Sequence, residues 1–364
     1  EIFYSITDEE PEENATYLSV NTVVGTDLDP KLYLAFQILE YALINVPGAP
    51  LKQALLDAGI GQDILGGYEN GILQPYFTVV AKGAEKEQKG EFLAVLKGTL
   101  RRLADQGLDR KSLLSGINYF EFRSREADYG TAPKGLMYGL QSLDSWLYGG
   151  DPMMHLAYGE TFEFLKKGVD EGYFESLIRD YLLDNPSEAV IIVSPKRGLT
   201  AEKETALAEK LAALKASLSA EEIRKLMEET KALKAYQDEP SSKEELEKIP
   251  LLKRSDIEPK AEKLVWEETE ADGIKVIRHE MFTSGIGYLK LLFGTDRVPT
   301  EDLPYVGLLK SVLGYVNTEH YSYSDLASEI YLNSGGINFG VTSYPNLNQP
   351  ENFTGVFTAD IKVL

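Results

Sequence analysis

The amino-acid sequence predicts an α+β protein in which two related domains, each a sheet packed on helices, are joined by a helical hairpin. Strand-like and helix-like segments alternate on both sides of a stretch, Leu199–Asp272, that contains no glycine. The order strand, Gly, Pro-led helix, second helix, Gly turn, strand occurs twice, at an offset of about 270 residues. Because the chain ends in a strand pattern at Asp360–Leu364, we expect the second domain to be truncated and the chain to be a fragment of a longer protein.

The first predicted domain spans residues 1–198. Its first strand, Tyr17–Val24, is followed by Asp29 and Pro30, an N-cap with proline at the first helical position. The remaining predicted segments are helices at 51–58, 90–105, 109–126, within 128–150, at 158–169 and at 173–183, a glycine-rich turn at 59–67, and strands at 73–82 and 189–193.

Residues 199–258 are predicted to form a helical hairpin linker. Leucines recur at helical spacing from Leu207 to Leu218, and Ser219 with Glu222 forms a capping box that starts the second helix. The third predicted domain spans residues 259–364. Its predicted segments are strands near 264–266, at 274–277, at 286–293 and from 337, with helices at 302–316 and 324–333.

The composition excludes several classes of function. With 37 Lys and Arg against 58 Asp and Glu, the formal net charge is −21, which opposes nucleic-acid binding. The absence of cysteine excludes disulfides and Cys-ligated metal sites in these 364 residues. No apolar run reaches the roughly 18 residues of a membrane span, and Glu1–Glu13 is unlike a signal peptide. We therefore expect no nucleic-acid or membrane partner, and a cytoplasmic location.

The sequence contains no recognisable self-sufficient active site. The three histidines lie in different contexts, and Val316–His320 matches the zinc motif H-x-x-E-H only in its last two positions. His155 and His279 are interpreted as surface or interface residues. Because no nucleophile elbow or P-loop occurs either, we predict no catalytic residue and no metal ligand in this chain.

Several motifs carry a resemblance to a known family. They are, in chain order, Ile117–Glu126, Pro133–Leu136, Glu280–Ile286 with Tyr288, Leu303 and Pro304, Tyr321–Leu326, and Ser334–Asn338. In these motifs the sequence resembles pitrilysin or insulinase-type zinc metallopeptidases of the presequence-protease branch, and the likeness extends over nearly the whole chain.

The resemblance implies four related metallopeptidase-type α+β domains in two bowl-shaped halves, hinged by a helical linker around an unfolded peptide. This chain would hold the second domain, the linker and the start of the third domain, both domains being non-catalytic. The first and fourth domains of the same polypeptide would lie outside it, together with H-x-x-E-H, so zinc is expected in the parent protein and none in this chain. By resemblance to the segment after the zinc helix of active copies, Asn338 and Thr342 are predicted to be substrate-groove residues.

The function predicted from this resemblance is the non-catalytic chamber and hinge portion of a zinc-dependent endopeptidase that degrades short unstructured peptides. The net charge of −21 further suggests a preference for basic peptides, by long-range attraction. Two alternatives stay open: a catalytically silent scaffold or peptide-binding subunit built from the same repeats, and an adaptor whose function lies in the 199–258 hairpin.

Overall fold

A computed structural model of the chain describes residues 1–260 and 263–364. The described residues form two compact units, made of Glu1–Lys196 with Thr283–Leu364 and of Arg197–Phe282. The three sequence-based domains stay a prediction, and the third of them includes residues 261 and 262, which lie outside the described residues.

The larger unit contains a five-stranded sheet with the order β1-β5-β2-β4-β3. Its strands are β1 Ile2–Ile6, β2 Thr16–Val23, β3 Asp63–Glu69, β4 Tyr76–Ala84 and β5 Glu188–Arg197. The strand β2 is antiparallel to both of its neighbours, and Val20 lies opposite Val79 of β4 and Val190 of β5. Such β-branched residues pack well on a pleated, half-buried surface.

Six helices of the same unit pack with this sheet around one hydrophobic core. They are α1 Pro30–Glu40, α2 Pro50–Asp57, α3 Lys89–Gln106, α4 Arg110–Glu126, α6 Gly159–Asp170 and α7 Tyr173–Leu177, whereas α5 Lys134–Trp146 contributes no residue to the core. As predicted, Asp29 caps α1 by accepting two backbone hydrogen bonds, and Pro30 is the first residue of the helix. A π-helical turn continues α1 to Asn45, and another continues α7 to Leu183.

The C-terminal part of the larger unit repeats the first in its connectivity. Its elements are β8 Gly287–Gly294, α11 Leu303–Val312, α12 Tyr323–Asn333, β9 Ile337–Asn346 and β10 Gln349–Val363, numbered so that the smaller unit keeps its place in chain order. The antiparallel order β8-β10-β9 matches the order β2-β4-β3, and in both places two helices follow the first strand. The internal repeat predicted from the order of elements is therefore confirmed.

One sequence-based prediction of local structure is wrong in the first repeat. The segment 59–67 was expected to be a turn, but β3 begins at Asp63 within it and forms an edge of the sheet. A Cβ atom on Gly66 would lie 2.6 Å from Cδ1 of Ile44, so glycine allows this strand to approach the π-helical turn after α1. Gly66 thus serves close packing inside a strand.

The smaller unit contains a helical hairpin and a short antiparallel strand pair. Its elements are α8 Leu199–Ser217, α9 Ala220–Asp238, α10 Lys243–Leu246, β6 Glu267–Ala271 and β7 Ile274–Arg278. The predicted capping box between Ser219 and Glu222 is present. The strand predicted near 264–266 begins instead at Glu267, because pairing with β7 starts there. No helix in the part of the chain that the structure describes is long and apolar enough to cross a membrane.

Candidate functional site

A groove lined by aromatic and polar side chains runs along α4. It consists of two adjoining cavities of about 620 and 430 Å³ in the larger unit. Gln37, Asn70, Phe120 and Arg123 line both cavities, which therefore form one depression, called the α4 groove below. A cavity of this size, with rings and a few polar groups in its wall, is typical of a ligand site.

The periodicity of α4 places the groove residues. Leu113 and Ile117 lie on the face of the helix that is buried in the core. Phe120, Arg123 and Ser124 follow at spacings of three and four residues and line the groove. The same helix therefore anchors itself in the core and presents a ring, a guanidinium group and a hydroxyl to the cavity.

Asp144 of α5 is a carboxylate in the wall of the larger cavity. Its Oδ2 accepts a hydrogen bond of 2.9 Å from the hydroxyl of Tyr33 in α1. Burial raises the pKa of Asp144, and the hydrogen bond from Tyr33 opposes this shift. Within the described residues, neither a lysine nor an arginine forms an ion pair with Asp144, although Arg123 lines the same cavity.

A buried pair of titratable side chains, Asp27 and His155, adjoins Tyr33. Asp27 lies between β2 and α1 and His155 between α5 and α6; their exposed fractions are 0% and 5%. The ring of His155 stacks on that of Tyr33, with 3.8 Å between centroids. Nε2 of His155 lies 3.8 Å from Oδ1 of Asp27, too far for a hydrogen bond. Neither side chain has a hydrogen-bond partner in the described part of the chain.

The burial of this pair changes its acid-base properties. Burial, and then the charge of Asp144, raise the pKa of Asp27 to about 7. Burial lowers the pKa of His155. A protonated Asp27 beside a neutral His155 is therefore the arrangement that avoids a net charge in this buried place.

The sequence analysis missed this pair. It interpreted His155 as a surface or interface residue, which is wrong, because the side chain is buried against Tyr33. Two signals were available: apolar residues flank His155 on both sides, and only one of the two acids Asp27 and Asp29 can cap α1.

The predicted substrate-groove residues Asn338 and Thr342 lie on β9. Both side chains are exposed and on the same face of the strand, opposite Asp360 and Val356 of β10. Neither residue lines the α4 groove, and their role in a substrate groove stays a prediction.

The histidines do not form a metal centre in this chain. His279 and His320 are exposed, whereas His155 is buried. Among residues 1–260 and 263–364, no group of three or more His, Asp or Glu side chains could hold a metal ion. The donor set of these described residues therefore does not fit a zinc site, which needs at least three protein ligands.

Comparisons with known proteins identify relatives of the whole chain. Residues 193–364 match a family model that describes a region associated with M16 peptidases of subfamily C. The chain is 39% identical to "Protein HypA" of Clostridium perfringens over 99% of this chain and 37% of that protein. It is 30% identical to "Presequence protease 1, chloroplastic/mitochondrial" of Arabidopsis thaliana over 85% of this chain and 29% of that protein. The chain thus spans about a third of the length of these curated relatives.

Solved structures also resemble the chain. The crystal structure of pitrilysin superposes on 99% of this chain and 35% of its own, with 12% identity and a TM-score of 0.42. A protease from Helicobacter pylori superposes on 53% of this chain and 44% of its own, with 10% identity and a TM-score of 0.39.

Proposed function

Because this chain belongs to the insulinase-type M16 peptidase family, in which it corresponds to a non-catalytic region, we propose that it forms part of the peptide-binding chamber and hinge of a zinc-dependent endopeptidase. The substrates of that parent protein are short unstructured peptides, and the zinc site lies in a part of the polypeptide outside this chain. No step of the hydrolysis is assigned to residues of this chain.

The α4 groove is the observation that carries this proposal. An unfolded peptide presents backbone amides and side chains of mixed chemistry. The groove is lined by aromatic rings, by the amides of Gln37 and Asn70, and by charged groups of both signs, which can contact each of these peptide groups. Aromatic side chains bury a large area at a low cost in conformational entropy, which suits a wall that contacts many sequences.

The partners in the proposal are peptides, with the first and fourth domains of the same polypeptide completing the chamber. The net charge of −21 favours basic peptides through long-range attraction. Cleavage rates that respond neither to peptide charge nor to ionic strength would count against this preference. The cytoplasmic location stays a proposal, since the Arabidopsis relative is named for chloroplasts and mitochondria; imaging of the tagged parent protein would test it.

The test compares the full-length parent protein with this 364-residue chain. Zinc content is measured by elemental analysis, and hydrolysis of an internally quenched basic peptide is followed with and without a chelator. We expect a parent protein that contains zinc and loses activity with the chelator, and a chain that binds the peptide without cleaving it.

Other results separate the alternatives. A parent protein without zinc or activity, which still binds peptide, would favour the silent scaffold. Hydrolysis by the 364-residue chain itself would contradict its assignment as a non-catalytic region. Loss of partner binding after deletion of the α8 and α9 hairpin, with peptide binding retained, would favour the adaptor.

A further inference from the structure

We propose that Asp144 is the anionic element of a subsite in the α4 groove that takes one isolated basic side chain, arginine or lysine, of a bound peptide. The inference rests on the proposed function, because it names what the groove recognises in its peptide. It goes beyond the general attraction of basic peptides, since it assigns a specific carboxylate and a stoichiometry of one cation.

Asp144 in the cavity wall has an unused hydrogen-bond acceptor in the part of the chain that the structure describes. One carboxylate oxygen, Oδ2, accepts the hydrogen bond from Tyr33, whereas Oδ1 accepts none within the described residues. The carboxylate is half-buried in the cavity wall and has no cationic partner in the described part of the chain. A guanidinium or ammonium group that enters the cavity would donate a hydrogen bond to Oδ1 of Asp144 and would also neutralise the charge of this carboxylate.

Aromatic side chains share the cavity wall with this carboxylate. Tyr33, Phe120, Tyr129 and Tyr138 line the same cavity as Asp144. The rings of Tyr129 and Tyr138 meet edge to face, with 6.2 Å between centroids. Ring faces attract cations and also cover the aliphatic part of an arginine or lysine side chain. A carboxylate combined with rings is therefore selective for a cation with an apolar stem.

A positive charge already in the cavity wall, that of Arg123, limits the subsite to one cation. Arg123 lines the same cavity, and within the described residues it has no ion-pair partner. Its charge repels a second positive group in the groove, so that the subsite itself takes a single cation. General attraction by a net charge of −21 would instead strengthen with each added positive charge.

The buried pair next to Tyr33 supplies a second readout. The charge of Asp144 contributes to the raised pKa of Asp27, which is faced by His155, Tyr33 and Tyr68 as well. A bound cation offsets the charge of Asp144, so it lowers the pKa of Asp27 and releases part of a proton at neutral pH. A neutral ligand in the same place releases none.

The experiment is isothermal titration calorimetry of the 364-residue chain with peptides blocked at both ends. The peptides are neutral except for one arginine, or carry citrulline, its uncharged analogue, at that position, or carry two adjacent arginines. Titrations at pH 7 are repeated in phosphate and in Tris, which differ in ionisation enthalpy. The variant Asp144→Asn keeps an acceptor for Tyr33, and Asp180→Asn removes an exposed carboxylate outside the groove as the matched control.

We expect the one-arginine peptide to bind about tenfold more tightly than the citrulline peptide. This ratio falls to about one in Asp144→Asn and is kept in Asp180→Asn, and only the arginine peptide releases protons. Asp144→Asn lowers the affinity for the two-arginine peptide by the same factor as for the one-arginine peptide, so any further gain from the second arginine comes from the long-range attraction alone.

Three results would overturn the subsite. Equal affinity for arginine and citrulline peptides would refute it while leaving peptide binding intact, and this comparison needs no variant. Discrimination that persists in Asp144→Asn would assign it to other charges, and a larger loss in that variant for the two-arginine peptide would contradict the stoichiometry of one cation. Failure of every peptide to bind would remove the subsite and the proposed peptide contact together.

Discussion

The carboxylate of Glu126 accepts two hydrogen bonds from the ammonium group of Lys362, each of 2.7 Å, although 236 positions separate the two residues. The hydroxyl of Tyr288 donates a third hydrogen bond, of 3.0 Å, to Oε1 of Glu126. Burial, followed by this hydrogen bond to Glu126, raises the pKa of Tyr288 to about 12. One carboxylate at the end of α4 thus ties the helix of the α4 groove to β8 and β10.

The first prediction concerns this ion pair. The side chains of Glu126 and Lys362 are only 17% and 29% exposed, so the substitution Glu126→Gln leaves a partly buried ammonium group without its counter-charge. We expect the free energy of unfolding to fall by about 1–2 kcal/mol, since hydrogen bonds to charged groups exceed neutral ones in strength. Urea unfolding followed by circular dichroism measures it.

The matched control for this prediction is an exposed ion pair of the same unit. Arg110 and Asp170 form hydrogen bonds, but their side chains are 62% and 60% exposed. We expect Asp170→Asn to change the free energy of unfolding clearly less than Glu126→Gln does, because solvent screens this exposed pair. Equal losses for Glu126→Gln and Asp170→Asn would show that partial burial adds nothing here.

The second prediction concerns the pH dependence of the free energy of unfolding. The contributions of Asp27 and His155 to it have opposite signs and offset each other. In the folded chain the pair keeps one proton, on Asp27, until the pH rises through about 7. In the unfolded chain the pair also keeps one proton between about pH 4 and 6.5, on the histidine. Because the raised pKa of Asp27 and the lowered pKa of His155 change stability with opposite signs as the pH varies, the two contributions offset each other across that range.

Removing either partner exposes the shift of the other. In His155→Phe the raised pKa of Asp27 makes the free energy of unfolding fall as the pH rises from about 4 to 7, by up to roughly 1.4 kcal/mol per pH unit. In Asp27→Asn the lowered pKa of His155 has the opposite effect: the free energy of unfolding falls as the pH drops below about 6.5. Parallel pH profiles of the two variants in urea unfolding would refute the assignment.

The elements that depend on local signals were predictable from the sequence. Asp29 and Pro30 fix the start of α1, and Ser219 with Glu222 fixes the start of α9, because capping depends on side chains within one turn. The internal repeat was also predictable, since it required only the order of elements. The repeat also indicates the strand β3, which was missed in the first copy. In the second copy a strand begins directly after the glycine turn, at Ile337, and β3 is its counterpart.

The α4 groove and the buried pair were not predictable in the same way. Tyr33 and Asp144 are separated by 111 positions, and they meet only because α1 and α5 pack together. His155 lies in the segment between α5 and α6 and is buried beside Asp27 and Tyr33, and no periodicity encodes these contacts. Nor does any pattern of α4 alone distinguish a residue that lines a cavity, such as Arg123, from one on an open surface.

The third prediction tests why β3 contains glycine. In Gly66→Ala the new Cβ would lie 2.6 Å from Cδ1 and 3.1 Å from Cγ2 of Ile44, a stiff side chain that is itself buried. We expect a loss of about 1–3 kcal/mol in the free energy of unfolding. In the control Gly98→Ala, inside α3, nothing lies within 4 Å of the new Cβ. That variant should gain up to about 1 kcal/mol from helix propensity. A neutral Gly66→Ala would mean that β3 has room for a side chain.

The fourth prediction tests whether the α4 groove contacts peptide through its rings. Tyr138 lines the cavity of about 620 Å³ and also a neighbouring one of about 920 Å³ beyond it, so a peptide that follows the groove must pass this ring. Since aromatic anchors dominate peptide interfaces, we expect Tyr138→Ala to weaken peptide binding about fivefold or more in calorimetry. The side chain is 38% exposed, so the loss of stability should stay below about 1.5 kcal/mol.

Tyr236→Ala, on the exposed hairpin helix α9, is the matched control and should leave the peptide affinity unchanged. The two variants distinguish peptide binding in the groove from an adaptor function of the hairpin, because each removes one tyrosine side chain, from the groove in Tyr138→Ala and from the hairpin in Tyr236→Ala. If Tyr236→Ala weakened binding while Tyr138→Ala did not, the contact surface would lie on the hairpin, as the adaptor alternative requires. The opposite result would place the peptide in the groove beside α4, where Asp144 and Arg123 can then act on its charges.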